Sequence, residues 1–364
     1  MSLTFIVDDT QRPARFGASA VCWSSAHHLP LWSLRPAFDG DYPDSHQHVV
    51  SAGYCVTTGL YRDSHAQEVT HVVQLPESDA VVVLAARDQA HIERLPGVRL
   101  FSRDAGDRLV LSDEHGQQLL QLQPDAFGRW TTAPSSLPAP RLCIGLPGRE
   151  TDLRESPTLA ALGDAAHQLN IGITLRFLPP DGLSDDVDEL SGLDALILPG
   201  GSSMRVVRGQ IRLAAATLHR PLPVLGLCLG MQSMATAALQ TQAGYADAML
   251  AEVSPAAALH SFIAFDDRRH RCGLLPFSPC APLPSGPGVM AYNHRYRFNP
   301  ALRSPLAASG VTVSAETDGI VEAISLPEHP FWHGVQGHPE LLSRPDAPHP
   351  LFIALLNAAV SAQA

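Results

Sequence analysis

Apolar and polar positions fall into two regimes along the 364-residue chain. Up to about residue 130, apolar residues come in short runs rich in β-branched side chains: LTFIV, HVVSAGYCVTTGLY, THVVQL, DAVVVLAA and RLVLSDEHGQQLLQLQ. Gly, Asp and Pro break the runs, which predicts strands separated by turns. The DEHG tetrad in the last run predicts a hairpin turn, and helical periodicity is weak throughout. WTTAPSSLPAPR, Trp130 to Arg141, sets three prolines among Ser and Thr and predicts a linker. Beyond it the pattern alternates. RLCIGLPG, ITLRFLP, LDALILPGG and PVLGLC read as short buried strands, while SPTLAALGDAAHQL, RVVRGQIRLAAATLHR and LGMQSMATAALQT read as helices. Ser156 and Pro157 suit the N-cap and first turn of the first of these. Strands alternating with helices of this length imply a parallel sheet covered on both faces. The predicted organisation is a smaller β-rich α+β domain over 1–130, a linker over 131–141 and an α/β domain over 142–364. There is no internal repeat.

Composition narrows the function classes. The hydrophobic share of 45% and charged share of 17% are ordinary for a globular protein. The net charge of −11 is spread thinly, which argues against a nucleic-acid partner and a polybasic membrane anchor. No run of about 18 apolar residues predicts a membrane span, and the first residues do not read as a signal peptide. All 25 basic residues are arginine, so the chain supplies no P-loop, Schiff-base or kinase-type lysine. Cys22, Cys55, Cys143, Cys228, Cys272 and Cys280 lie far apart with no C-x-x-C pair. Free thiols in a cytoplasmic protein are the expectation. DSHQH brings His46 and His48 within two residues, and CWSSAHHLPLW adds His27 and His28. In a chain with 17 histidines such spacing reads as chance clustering, and neither a metal nor a cofactor is expected.

The chemistry concentrates in VLGLCLGMQ, Val224 to Gln232. A free cysteine is commonly a small buried residue. Here, however, G-x-C-x-G follows a strand and opens a helix, as in a nucleophile elbow. Gly226 and Gly230 permit a sharp turn, and the N–H groups of the helix beginning at Leu229 favour a thiolate. A cysteine nucleophile needs a base, and the base needs an orienting group. GVQGHPELL offers both: His338 and Glu340 flank Pro339, and an extended i, i+2 pair would point to one face. LPGGSS ends a neighbouring strand, so the N–H of Gly201 could join that of Leu229 as an oxyanion donor.

P-G-G, then G-x-C-x-G, then H-P-E is the order of a class I glutamine amidotransferase, and the chain resembles that family from about Arg141 onward. The likeness is narrower still to the amidotransferase domain of CTP synthase. PGGSSMRVVRGQI, LGLCLGMQ, NHRYRFNP and EHPFWHGVQGHPELLSRPDAPHPLF each follow that domain's motifs in order. The resemblance implies a flavodoxin-like fold, with Cys228 as nucleophile, His338 as base and Glu340 as its orienter. It implies Gly201 and Leu229 as oxyanion donors. It also implies that Gln232, Glu252 and Arg295 bind substrate glutamine, with Glu252 on the α-amino group and Arg295 on the α-carboxylate. The implied reaction turns glutamine into glutamate and ammonia, which passes to a synthetase partner or to an acceptor bound by the N-terminal domain.

Departures from the family are equally informative. Residues 1–130 hold no glycine-rich phosphate loop, so CTP formation by this chain alone is not expected. Ser202 stands where the family has Phe after P-G-G, and Gly337 where it has Phe before H-P-E. DDRRHRCG, Asp266 to Gly273, replaces T-M-R-L-G. Two alternatives therefore stay open: a hydrolase of another γ-glutamyl or amide substrate, and a non-catalytic regulatory homologue. The oligomeric state, homo-oligomer or not, is open as well.

Overall fold

Runs of Val, Leu and Ile organise both halves of the chain into sheets. The computed structural model describes residues 2–12, 15–36, 38, 67–134, 136–178, 188–201 and 205–363. These divide into two units. One comprises Met1–Ser136 with Arg154–Asp164 and Ser343–Pro348; the other comprises Leu137–Leu153, Ala165–Leu342 and His349–Ala364. No helix of the described residues is long and apolar enough to cross a membrane.

The first unit holds β1 (Leu3–Asp8), α1 (Ala18–His27), β2 (Leu31–Leu34), β3 (Gln67–Val69), β4 (Ala80–Ala85), β5 (Val98–Asp104), β6 (Leu109–Ser112), β7 (Gln118–Pro124) and β8 (Trp130–Thr131). They form one sheet in the order β3-β2-β4-β1-β5-β6-β7-β8. Pairing is parallel from β3 to β5 and antiparallel from β5 to β8. All six residues of β4 are buried, as expected where both faces are covered. On one face Val81 and Val83 join Phe16, Ala20 and Val21; on the other Val82 and Leu84 join Ile92.

Several expectations are corrected here. Helix α1 was not read from the sequence. Ala18, Ser19, Ala20, Val21, Cys22 and Ser24 are all buried, so the helix shows no polar stripe to give it away. Strand β5 was also not read. THVVQL is not a strand: Val72–Gln74 is a 3-10 turn whose Gln74 side chain accepts the N–H groups of Thr70 and His71. The DEHG turn stands as expected, with Asp113 Oδ1 accepting from His115 and Gln117. HVVSAGYCVTTGLY, His46 and His48 lie outside the described residues. His27 stacks on Trp23, and its ring hydrogen-bonds the Trp23 carbonyl.

Later segments complete the first unit through charge. Arg15 bridges Asp104 at 2.9 Å and Glu155 at 2.5 Å, and Arg129 reaches Asp125 at 2.6 Å and Asp164 at 2.7 Å. Ser343 Oγ donates to Asp164. Asp8, at the end of β1, accepts the backbone N–H groups of Thr10 and Gly17. Burial pushes its carboxyl up to about 7.

The second unit holds β9 (Pro140–Pro147), α2 (Glu150–Leu153), β10 (Gly172–Leu178), β11 (Ala195–Leu198), α4 (Val207–Thr217), β12 (Val224–Leu227), α5 (Leu229–Gln240), β13 (Met249–Leu250), β14 (His260–Ala264), β15 (Arg271–Pro276), β16 (Val289–His294), β17 (Tyr296–Phe298), α6 (Arg303–Ala308), β18 (Thr312–Thr317), β19 (Ile320–Ser325), β20 (Trp332–Val335) and α7 (Pro350–Ala362). Helix α3 (Pro157–Leu169) begins in the first unit and ends in this one. The main sheet runs β10-β9-β11-β12-β20-β19-β18, parallel from β10 to β20 and antiparallel beyond. Its core packs Leu196, Leu198 and Val224 against Met231, Met234 and Ala235 of α5. Helix α7 also lies against β11 and β12. The parallel-sheet fold expected for this half is therefore present, with β11, β12 and β20 side by side at its centre.

Candidate active site

The centre of a parallel sheet delivers three chain reversals to one edge, at the carboxyl ends of its strands. Beyond β12, Cys228 adopts φ 48° and ψ −104° before α5 begins. A non-glycine residue pays for that backbone, and such strain collects at functional turns. Its neighbours explain how the turn closes. A β-carbon on Gly230 would strike the Leu198 carbonyl oxygen, and one on Gly226 would strike the Met234 sulfur. Cys228 N donates to Val335 O at 2.8 Å, locking the turn to β20. Cys228 as a residue is 8% exposed. Leu229 opens α5, so its N–H belongs to the unsatisfied first turn.

Beyond β11 comes Pro199-Gly200-Gly201. A β-carbon on Gly200 would lie 3.1 Å from His338 Cε1 and 3.3 Å from Cys228 Cβ, so glycine lets the two side chains meet. Gly201 has φ 143°. Gln210 of α4 donates to Pro199 O at 3.0 Å and accepts from Ser233 of α5, pinning this segment to both helices. Ser202 lies outside the described residues.

Beyond β20 comes Gln336-Gly337-His338-Pro339-Glu340. The expected extended His-Pro-Glu pair is instead the start of a 3-10 turn, Pro339–Leu342. The contact is still made: His338 Nδ1 lies 2.7 Å from Glu340 Oε1, and His338 N donates to Ala291 O. Burial works against a charged imidazole. The Glu340 carboxylate and the Cys228 sulfur, with hydrogen bonds to both, outweigh it and hold His338 well above the usual histidine range. With Nδ1 committed to Glu340, Nε2 is left for the sulfur. Gly337 has a physical reason too, since a β-carbon there would strike Met290 Cγ and come within 2.9 Å of Ala291 O. Met290 of β16 takes the volume that an aromatic side chain at 337 would need.

Two glutamines join this network. Gln336 Nε2 lies 3.6 Å from Cys228 Sγ, and Gln232 Nε2 lies 3.3 Å from Gln336 Oε1. Gln232 is buried rather than on the helix surface, and its Oε1 is without a partner. Gln336 lies within GVQGHPELL, and only the fold brings its amide to the Cys228 sulfur. Glu252 is exposed on the turn between β13 and β14, and Arg295 at the reversal between β16 and β17; both engage other groups. Among the described residues no group of three or more His, Cys, Asp or Glu side chains is placed to hold a metal ion.

Behind the site lies a second charged network. Buried Glu322 pairs with Arg271, whose guanidinium lies 4.0 Å from the Tyr292 ring centroid. His294 Nδ1 lies 2.7 Å from Tyr296 O and its Nε2 3.3 Å from Arg271 Nη1. Burial, with the Arg271 and His338 charges nearby, pushes this imidazole down to about 3 despite the Tyr296 carbonyl. DDRRHRCG, which departs from its expected motif, thus supplies the half-buried Arg271 that pairs with buried Glu322.

Strand order, elbow and H-P-E turn together define the class of protein. Residues 165–358, just over half the chain, match the family described as Glutamine amidotransferase class-I, and the chain belongs to that family. Its similar relatives are narrower. It is 33% identical over 266 residues to a CTP synthase of Nostoc punctiforme, covering 67% of this chain and 49% of that one. It is 34% identical over 225 residues to a CTP synthase of Coprothermobacter proteolyticus, covering 56% and 42%. The chain therefore spans about half the length of the curated relatives it matches. Among solved structures it is similar in fold to the glutaminase domain of Trypanosoma brucei CTPS with bound acivicin. The TM-score there is 0.57 at 23% identity, covering 61% of this chain and 94% of that one.

Proposed function

We propose that this chain hydrolyses the side-chain amide of L-glutamine and passes the ammonia to an acceptor. The observation that carries the reading is the Cys228–His338–Glu340 arrangement, with Gly200 leaving room for sulfur and imidazole to meet. Cys228 gives its proton to His338, and the thiolate attacks the amide carbon. The tetrahedral oxyanion takes N–H donors from Gly201 and Leu229. His338 returns its proton to the leaving nitrogen, ammonia departs, and a γ-glutamyl thioester remains. Water then adds to the thioester carbon with His338 as base, and the C–S bond breaks to release glutamate. Gln232, Glu252 and Arg295 are assigned to substrate: a zwitterion needs an anion, a cation and a polar partner.

The ammonia acceptor lies either on a separate synthetase or with residues 1–130. The relatives' CTP synthase activity is not assigned to this chain alone, because the sequence offers neither a lysine nor a glycine-rich phosphate loop. Glutamate release by the purified protein, measured beside Cys228→Ala, tests the reading. Release that disappears in the variant is expected. Equal release from both proteins would refute the assignment of Cys228. A panel of other γ-glutamyl amides in the same assay tests whether glutamine is the preferred substrate.

A further inference from the structure

We propose that Gln336 is a further catalytic residue, donating a hydrogen bond from its side-chain amide to the Cys228 sulfur while Gln232 holds it in place. This rests on the reading of Cys228 as nucleophile.

Gln336 follows β20 directly and is fully buried. Its backbone N–H donates to Glu322 O at 2.7 Å, which fixes the residue at the sheet edge. Its Nε2 lies 3.6 Å from Cys228 Sγ, within the range of an N–H···S bond, and its Oε1 lies 3.3 Å from Gln232 Nε2. Two buried amides therefore stand in series and end on the sulfur. Burying a primary amide costs free energy unless it is hydrogen-bonded, so a side chain that only filled space here would be served better by Leu or Met. In the orientation observed every contact pairs a donor with an acceptor. Turning Gln336 alone would set its carbonyl oxygen against the sulfur lone pairs and its NH₂ against the NH₂ of Gln232.

The chemistry gives such a donor a task that His338 cannot perform throughout. When the thiolate attacks, the imidazolium lies beside it. In the second half-reaction water attacks the thioester carbon and its proton moves to His338. The tetrahedral intermediate then collapses, and the C–S bonding pair returns to sulfur as negative charge while the His338 imidazolium gives up its proton to become neutral again. A neutral N–H donor serves the sulfur in both steps and exchanges no proton. Gln336 meets that requirement, and Gln232 sets its direction.

The test is the pH dependence of iodoacetamide alkylation at Cys228, followed by mass spectrometry of its peptide in full-length protein. Wild type is compared with Gln336→Met, Gln336→Glu and Gln232→Leu. Gln336→Met is expected to move the curve to higher pH by about one unit, a tenfold smaller thiolate fraction on the rising limb. Gln336→Glu, which offers only acceptors when ionised, moves it further in the same direction, and Gln232→Leu moves it less. A Gln336→Met curve that superimposes on wild type, or shifts to lower pH, overturns the proposal. Should that variant fail to fold, the absence of an upward shift in both other variants overturns it. If wild-type Cys228 reacts no faster than exposed Cys272 and Cys280 at any pH, the nucleophile reading itself fails.

Discussion

At Gly337 a missing side chain and a present one answer each other. Met290 fills the space beside it, so Gly337→Phe is expected to overpack a buried site and cost about 1–3 kcal/mol or more. Gly337→Phe combined with Met290→Ala is expected to recover most of that loss, as coupled neighbours do. Denaturant midpoints of the two singles and the double measure it, and simple additivity would refute the packing account. Glu340→Gln addresses charge instead. Without the carboxylate, burial acts on His338 with less opposition, and glutaminase activity is expected to fall on the order of a hundredfold. The alkaline limb of the rate profile should also move to lower pH, because an imidazolium held by a raised affinity persists until pH passes that raised value. An unchanged alkaline limb would mean that Glu340 does not hold the proton. Cys228 on one side, and His338 with Glu340 on the other, could be singled out from the sequence because each lies in a short local motif, G-x-C-x-G and H-P-E. Met290 and Gln336 could not, since their partners meet only when β16, β20 and β12 stand together.

Among the elements, the hairpin β15–β16 carries the most consequence. It brings Arg271 to Glu322 of β19 and its Tyr292 under the guanidinium. Removing one partner of a buried ion pair strands the other charge, so Arg271→Ala is expected to cost about 3–5 kcal/mol. Arg271→Met with Glu322→Leu is expected to cost far less, a comparison made by chemical denaturation. A single variant as stable as the double would show that the pair is not buried in solution. Up to α5 the main strands and helices of the second half were legible because each apolar run is short and bounded, and β11 and β12 are fully buried; α2, β13 to β20, α6 and α7 were not legible. In the first half the same logic failed at α1, where small residues are buried all round, and at Val72–Gln74, where β-branched residues sit in a turn built by Gln74. Local propensity yields there to backbone hydrogen bonding.

The two units should respond to pH in opposite directions. Burial pushes Asp8 up to about 7, and Asp164 up to about 6 against the pull of Arg129. Above about 4 the unfolded chain has released these protons while the folded unit keeps them. The stability they contribute is fully present below that point and is lost as pH rises through the folded values. In the second unit, burial pushes His294 down to about 3 and both His333 and His349 to about 4. Below about 6.5 the unfolded chain takes up protons that these imidazoles refuse, so stability rises with pH over about 4 to 6.5. Hydrogen exchange at pH 4.5 and 6.5, corrected for intrinsic rates, should show protection falling in the first unit and rising in the second. A shift in the same direction in both would contradict these assignments.

The path of the polypeptide also bears on how such a protein can be cut or recombined. Arg154–Asp164 and Ser343–Pro348 are borrowed from the far side of the Pro/Ser-rich stretch. A cassette starting at residue 142 would carry Asp164 away from Arg129, leaving a buried acid with its arginine removed. Fission between residues 141 and 142 is expected to yield poorly soluble pieces, and co-expression of 1–141 with 142–364 to restore them.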